Sequence, residues 1–196
     1  MDKSVIILGK GSSHQQCKYD TETWAVNDAF GLIDCKRLDR IFYFDHHFIG
    51  DWCDKGEGIM GPIKQGIHWV KHALYFRTGY LYQITPELLD KTGAIVTTFK
   101  ENPGVKKFEE YPLEEIIKEF NIEYFTDSIA YMTAFAIYKG YKKIIFRGCD
   151  YSWGDEIHSG KRDCVEFWIG VARGRGIEID VGKGSTLTRR NLFGID

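Results

Sequence analysis

Apolar positions fall into short ordered runs at both ends of the chain and lose their order in between. Val5–Leu8 is a compact, largely β-branched run, as expected of a strand buried on both faces of a parallel sheet. Trp24–Val26 and Arg40–Phe44 read as two more strands, and "GAIVTTF" as a further short one. The connection "HQQCKYDTE" is long enough for a helical turn but not for a full helix. From Pro112 the period changes. Leu113, Ile116, Ile117 and Phe120 recur at helical spacing. "TDSIAYMTAFAIYKG" then predicts a helix capped by Thr126, Asp127 or Ser128 and stopped at Gly140. Ile144–Phe146 is a buried-strand run, "CVEFWIGVARGRG" a last helix and "IEIDVG" a last strand. The alternation predicts one α/β domain over residues 1–196, with a doubly wound, mostly parallel sheet and helices on both faces. Residues 46–112, rich in glycine and aromatics, are expected to form an insertion or a lid.

Composition narrows the setting. At 196 residues and 43% hydrophobic content, the chain suits one full-sized core and has no room for a second domain. The formal net charge of −2 supplies no global field for nucleic acid or anionic membrane, which leaves nucleic acid only a local basic patch. Arg173, Arg175, Lys183, Arg189 and Arg190 crowd the C-terminal end, where they read as a solvated surface. Five cysteines without a CxxC pair argue against a disulfide framework and a structural zinc site. No apolar run near Asp2 and Lys3 has the length of a signal peptide or membrane span, so a cytoplasmic protein is expected.

The candidate chemistry begins where the first strand ends, at Gly9-Lys10-Gly11-Ser12-Ser13. Such a turn either receives a nucleotide phosphate or simply reverses the chain. It has neither the third glycine of the dinucleotide fingerprint nor the GK[ST] ending of a P-loop. Other residues share its end of the sheet. Asn27 and Asp28 close the second strand, where an amide and a carboxylate would face a base or ribose. Thr126-Asp127-Ser128 offers hydroxyls and backbone amides at a helix N-terminus, which serves either as an anion site or as plain capping.

These stretches resemble the bacterial CMP-sialic-acid-dependent sialyltransferases, which have a Rossmann-like fold. "LGKGSS" stands at that family's Gly-Asn-Gly-Pro-Ser turn, with Lys10 in place of the asparagine. Asn27 matches its nucleotide-contacting asparagine. Thr126–Ser152 resembles its serine-started helix, Gly-Tyr-Lys connection and Gly-x-Asp strand end. "HSGKRD", Ser185 and Leu187 fall near its catalytic-histidine and Asn-Ser-Leu-Leu segments. The resemblance implies a metal-independent, inverting glycosyltransferase with a CMP-linked sugar donor, no required cofactor and a hydroxyl acceptor. It implies a nucleotide pocket of Gly9, Lys10, Gly11, Ser12, Asn27, Asp28, Ser128, Gly148 and Asp150. His158, in what reads as a polar loop, would be the general base, and Tyr151, directly after Asp150, would assist the departing phosphate.

A more remote resemblance is to the hydroxymethylpterin diphosphokinases, which transfer diphosphate from ATP and need Mg²⁺. Asp45 and Asp150 would then hold the metal. A third reading is a nucleotide-binding protein without turnover. Asp45-His46-His47 offers metal-ligand types or a sugar contact, whereas His68 and His72 lack the nearby glutamate of a zincin helix. Cys149 and Trp168 read as core, with Glu166 and Arg173 on the lip of the last helix. The size and the lack of an export signal fit a small phage or mobile-element accessory protein.

Overall fold

The computed structural model describes residues 3–27, 29–32, 34–44, 86–99, 105–151 and 156–188. Within them, seven strands form one parallel sheet: β1 Ser4–Leu8, β2 Glu22–Val26, β3 Arg40–Phe42, β4 Ile95–Thr98, β5 Phe108–Glu110, β6 Lys143–Arg147 and β7 Glu178–Val181. Their order is β5-β4-β3-β2-β1-β6-β7. The chain thus steps outward from β1 to β5, crosses back to β6 on the other side of β1, and ends at β7. All six neighbouring pairs run parallel. This is a Rossmann-like α/β fold, and the reversal of strand order lies between β1 and β6.

Two apolar layers hold it. One face carries Val5, Ile7, Trp24, Phe42, Ile144 and Phe146. Against it pack α3 (Leu113–Phe120), α4 (Ser128–Tyr138) and α5 (Glu156–Gly174) through Ile116, Phe135 and Trp168. The opposite face carries Ile41 and Val96, which pack with Phe30 of α1 (Ala29–Leu32) and Leu89 of α2 (Pro86–Thr92). Trp24 anchors the first layer, with ring centroids 5.2 Å from Phe42, 5.5 Å from Phe135 and 5.1 Å from Tyr141. Truncating a buried ring of this kind costs about 3–5 kcal/mol.

Helix α4 is apolar almost all round because it lies between the sheet and α5. Ala130, Ala134 and Ala136 are all fully buried and allow close approach. Its buried polar member, Thr133, donates to the Ile129 carbonyl at 2.7 Å. Asp127 caps its start by accepting the Ile129 amide at 2.7 Å. Gly140 ends it at φ +75°, a conformation that glycine adopts freely.

Three boundaries differ from the sequence reading. The third strand stops at Phe42 rather than Phe44, where the ladder to β4 ends. The segment expected as an insertion or lid contributes two sheet strands. β4 matches the run "GAIVTTF", but β5 (sequence "FEE") has no apolar alternation. Polar contacts hold β5: Arg40 Nη1 reaches Glu109 Oε2 at 2.6 Å and Thr97 Oγ1 at 2.5 Å, and Lys139 Nζ reaches Glu109 Oε1 at 3.1 Å. Residues 45–85 lie outside the described residues. Finally, α5 begins at Glu156, so the expected polar loop around His158 is helical. Its early turns bear polar residues that give no apolar period to read. Among the described residues, no helix is long and apolar enough to cross a membrane.

Candidate functional site

In an open parallel sheet, ligands enter at the carboxyl ends of the strands where the order reverses. Here that point is bounded by the Gly9–Ser13 turn after β1 and by Gly148–Tyr151 after β6. The two segments interlock. The Gly9 amide donates to the Arg147 carbonyl at 2.8 Å, and the Gly11 amide to the Gly148 carbonyl at 2.7 Å, which extends the β1–β6 ladder. A Cβ on Gly148, which sits at φ +69°, would overlap the Gly9 carbonyl oxygen and lie 2.6 Å from its carbon. A Cβ on Gly11 would lie 2.5 Å from Asp150 Oδ2. Internal packing alone therefore requires these glycines.

The carboxylate of Asp150 closes the lock. It is 5% exposed. Oδ2 accepts the Ser13 amide at 2.8 Å and the Ser12 hydroxyl at 3.2 Å, while Oδ1 accepts the Ser13 hydroxyl. Ser13 Oγ in turn accepts the Gly148 amide at 2.8 Å. Ser13, which sequence reasoning passed over, is thus the central hinge of the turn; the doubled serine after Gly11 was its sole signal. Opposite it, Gly182 leaves no room for a side chain, since an added Cβ would lie 2.7 Å from Ser13 Cβ.

The loop after β7 forms the lip. Ser185 Oγ donates to the Cys149 carbonyl at 2.8 Å, and Thr186 donates to the Asp150 carbonyl from its amide at 2.8 Å and from its hydroxyl at 3.0 Å. Gln16 bonds both backbone groups of Lys183, each at 2.9 Å. Glu166 accepts the Thr188 amide at 2.8 Å. Beyond this lip, a cleft of about 950 Å³ runs beside β7, lined by Glu166, Gly170, Arg173 and Lys183 among others. It lies along the sheet edge, away from the β1–β6 reversal.

The most unusual polar contact joins α4 to the end of β6. Tyr151, held at φ +47°, donates its hydroxyl to Asp127 Oδ1 at 2.7 Å. Burial drives the Tyr151 phenol well above its ordinary pKa, with Asp127 pushing the same way, so it acts as a donor. Burial also raises the Asp127 carboxyl; the Tyr151 hydrogen bond, the Ile129 amide and Lys161 oppose it. The Cys149 thiol is pushed up by burial, as suits a core position.

The expected site residues are thereby placed. Gly9, Gly11, Ser12, Gly148 and Asp150 converge on one locked turn, with Lys10 exposed on it. Asn27 ends β2 at φ +48°, its amide donating to the Phe42 carbonyl at 2.7 Å. Ser128 begins α4 beside the Asp127–Tyr151 pair. His158 lies on the first turn of α5, two residues before Gly160, whose carbonyl accepts the Thr126 hydroxyl at 3.3 Å. The His158 side chain, Asp28, Asp45, His46, His47, His68 and His72 lie outside the described residues. Among the described residues, no group of three or more His, Cys, Asp or Glu is placed to hold a metal.

Comparison with known proteins adds two independent likenesses. No family model matches the chain. The catalytic subunits of aspartate carbamoyltransferase from Thermococcus onnurineus (strain NA1) and Thermococcus kodakarensis are 31% and 30% identical to it over 124 residues. That region is 62% of this chain and 34% of theirs, so the chain spans about a third of the length of the curated relatives it matches. In three dimensions the chain is similar to the sialyltransferase CstII from Campylobacter jejuni in complex with cytidine-5'-monophosphate. The TM-score is 0.53 at 18% identity, covering 94% of this chain and 82% of that one. The CstII complex with CMP-3FNeuAc gives 0.53 at 18% identity, with 95% and 84% covered. The chain therefore has a sialyltransferase-like Rossmann fold, shared at distant sequence.

Proposed function

We propose that this chain is a nucleotide-sugar-dependent glycosyltransferase that moves a sugar from a CMP-linked donor to a hydroxyl acceptor without a metal ion. The nucleotide lies at the carboxyl ends of β1 and β6, bounded by Gly9, Lys10, Gly11 and Ser12, by Asn27 and Asp28, and by Ser128, Gly148 and Asp150. The acceptor oxygen attacks the anomeric carbon from the face opposite the phosphate, and the carbon–oxygen bond to phosphate breaks with its electron pair on the phosphate oxygen. The acceptor proton passes to His158, an imidazole being suited to proton transfer near neutral pH. As the phosphate departs, Tyr151 turns its one hydroxyl proton from Asp127 to the leaving oxygen.

The observation that carries this reading is the convergence of Asp127 and Tyr151. The stretch from Thr126 to Ser152 resembles the sialyltransferases, and it folds so that the cap of α4 meets the residue after Asp150 at 2.7 Å. That meeting lies where the strand order reverses and beside the turn of α5 that carries His158. A second reading, carbamoyl transfer, is favoured by the 31% identity to aspartate carbamoyltransferase catalytic subunits over 124 residues.

A thermal-shift screen against CMP, ATP and carbamoyl phosphate, each with and without Mg²⁺, separates them. Ligand at a hundred times its dissociation constant stabilises the fold by about 2.7 kcal/mol. The expected result is a metal-independent shift with CMP. A shift with carbamoyl phosphate and none with CMP would favour carbamoyl transfer. A shift that needs ATP and Mg²⁺ would favour diphosphate transfer. With a CMP-sugar donor and turnover in hand, His158→Ala is expected to abolish transfer while CMP still binds.

A further inference from the structure

Among the described residues, β7 is an outer strand of the sheet, paired with β6 alone. The Glu178 amide donates to the Lys142 carbonyl at 2.9 Å, and the Gly182 amide to the Phe146 carbonyl at 3.1 Å. In a parallel ladder, alternate residues turn their backbone groups toward the partner strand. Ile179 and Val181 therefore direct their amides and carbonyls outward, and among the described residues nothing pairs with them. Such an edge is a template for one more strand. The half-buried side chains of Ile179 and Val181 pack on the apolar layer that α5 covers, and both residues line the cleft of about 950 Å³.

Two features of that cleft select its occupant. The first is charge. Every acid on its wall is engaged: Glu166 accepts the Thr188 amide, Glu178 pairs with Lys143 at 2.6 Å, and Asp180 pairs with Arg147 at 2.9 Å. The cations on the wall, Arg173 and Lys183, are exposed, and neither has an ion-pair partner among the described residues. They stand at opposite ends. The Ile177 amide donates to the Ala172 carbonyl at 3.0 Å, which sets Arg173 beside the start of β7, whereas Lys183 follows its end. The strand between them is about 13 Å long, a span that suits an extended chain with acids toward both ends better than a single phosphate. The second feature is Gly170, exposed on α5 one turn from Glu166 and one turn from Arg173. Glycine inside a helix weakens it. Nothing lies within 4 Å of an added Cβ there, so the chain's own packing does not require this glycine. Its bare backbone leaves room for a segment lying against α5.

We propose that the β7 edge and this cleft bind an extended acidic peptide segment of a partner protein, added beside β7 as a further strand. The main chain of the segment pairs with Ile179 and Val181, its side chains pass over Gly170, and its acidic residues meet Arg173 and Lys183. The outward amides and carbonyls favour a peptide over a nucleic acid or an acidic glycan, neither of which can extend a β-ladder. The proposal goes beyond the transfer reaction and does not rest on it.

The test is titration of the full chain with the peptide Glu-Glu-Val-Thr-Val-Glu-Glu, read by fluorescence anisotropy and by amide hydrogen exchange. Exchange at Ile179 and Val181 is expected to be fast in the free chain and to slow about tenfold or more at saturating peptide. A copy of the peptide with its central amides methylated is expected to bind about tenfold more weakly. Arg173→Glu combined with Lys183→Glu is expected to cost about tenfold in affinity. Gly170→Leu is expected to abolish binding while melting no lower than the parent, because the new side chain enters open space. Equal affinity for the methylated peptide overturns the proposal, as does equal affinity for the same peptide with lysine at every glutamate. No binding at about 1 mM peptide overturns it too, and so does a single-stranded oligonucleotide that binds through Arg173 and Lys183 when the peptide does not. Slow exchange at Ile179 and Val181 in the free chain also overturns it. At every dilution that result assigns the edge to the chain itself, and at high concentration alone to a second copy.

Discussion

Replacing Gly148 with alanine distinguishes a glycine kept for packing from one kept for a ligand. Its φ of +69° costs an L residue about 1 kcal/mol. The new Cβ would overlap the Gly9 carbonyl oxygen, and it would lie 2.6 Å from the Gly9 carbonyl carbon and 3.2 Å from the Gly11 carbonyl oxygen. These are backbone atoms, so no rotamer change relieves the overlap. The β1 turn must withdraw, stretching the Gly11–Gly148 bond of 2.7 Å and the Gly9–Arg147 bond of 2.8 Å. At about 1 kcal/mol for each weakened bond, the total is about 3 kcal/mol. Gly140→Ala is the control. Gly140 has φ +75°, but nothing lies within 4 Å of an added Cβ, so only the backbone strain remains. For a chain of this length, 1 kcal/mol corresponds to about 2–4 °C of melting temperature. Calorimetric melting should thus show a drop of about 6–12 °C for Gly148→Ala and about 2–4 °C for Gly140→Ala. Equal drops would refute the packing argument. So would a Gly148→Ala protein that melts like the parent yet no longer binds CMP, since the glycine would then serve the ligand's approach.

Asp150→Ala should destabilise the fold by about 2–4 kcal/mol in urea unfolding, because it strands the buried Ser13 amide and hydroxyl around a void; a loss under about 1 kcal/mol would show that water replaces the carboxylate. Asp127→Asn keeps both the helix cap and the acceptor for Tyr151. Burial raises the folded-state pKa of Asp127 above its unfolded value, so the folded chain binds that proton more tightly. The unaltered chain therefore loses stability as pH rises from the ordinary aspartate range through the raised value, and the asparagine variant does not. Melting curves from about pH 4 to pH 8 should show the stability difference, variant minus parent, growing with pH; a constant difference would mean that Asp127 is not strained by its burial.

The parts of the fold that apolar residues hold were legible in the sequence; the parts that polar contacts hold were not. Val5–Leu8 is buried on both faces of the sheet, and its unbroken apolar run says so; Ile144 and Phe146 are buried, with Ile145 between them half-buried on the other face. The α4 helix announced its stop at Gly140 and narrowed its cap to Thr126, Asp127 or Ser128, of which the structure uses Asp127. By contrast, β5 is attached through Glu109, Arg40 and Lys139, and an ion pair leaves no periodicity. The early turns of α5 were hidden for the same reason: the contact there is a carbonyl, Gly160, with the Thr126 hydroxyl. The site divides likewise. Gly9, Gly11, Asn27 and Asp150 stand at strand ends, where a reader looks. The pairing of Asp127 with Tyr151 joins residues 24 positions apart and appears only when α4 and β6 are laid side by side.

The chain is similar to transferases of two kinds, and the fold cannot choose between them. A reversal of strand order at the carboxyl edge suits many phosphate-bearing ligands, so what surrounds it must decide. Carbamoyl phosphate is small and has no base to place. A nucleotide extends from its phosphate across the neighbouring strand, and the neighbour of β1 opposite β6 is β2. There the chain turns at Asn27 with φ +48°, held by its amide on the Phe42 carbonyl. Such a turn sets a short amide-bearing residue at the height of the Gly9–Gly11 turn, one strand away from it. On the far side of β1, at the end of β6, stands the Tyr151–Asp127 pair. Polar groups thus stand on both flanks of the central strand, a span that suits a base, a ribose and a phosphate in line better than a phosphate alone. That span, more than the glycines, is why the nucleotide reading is preferred.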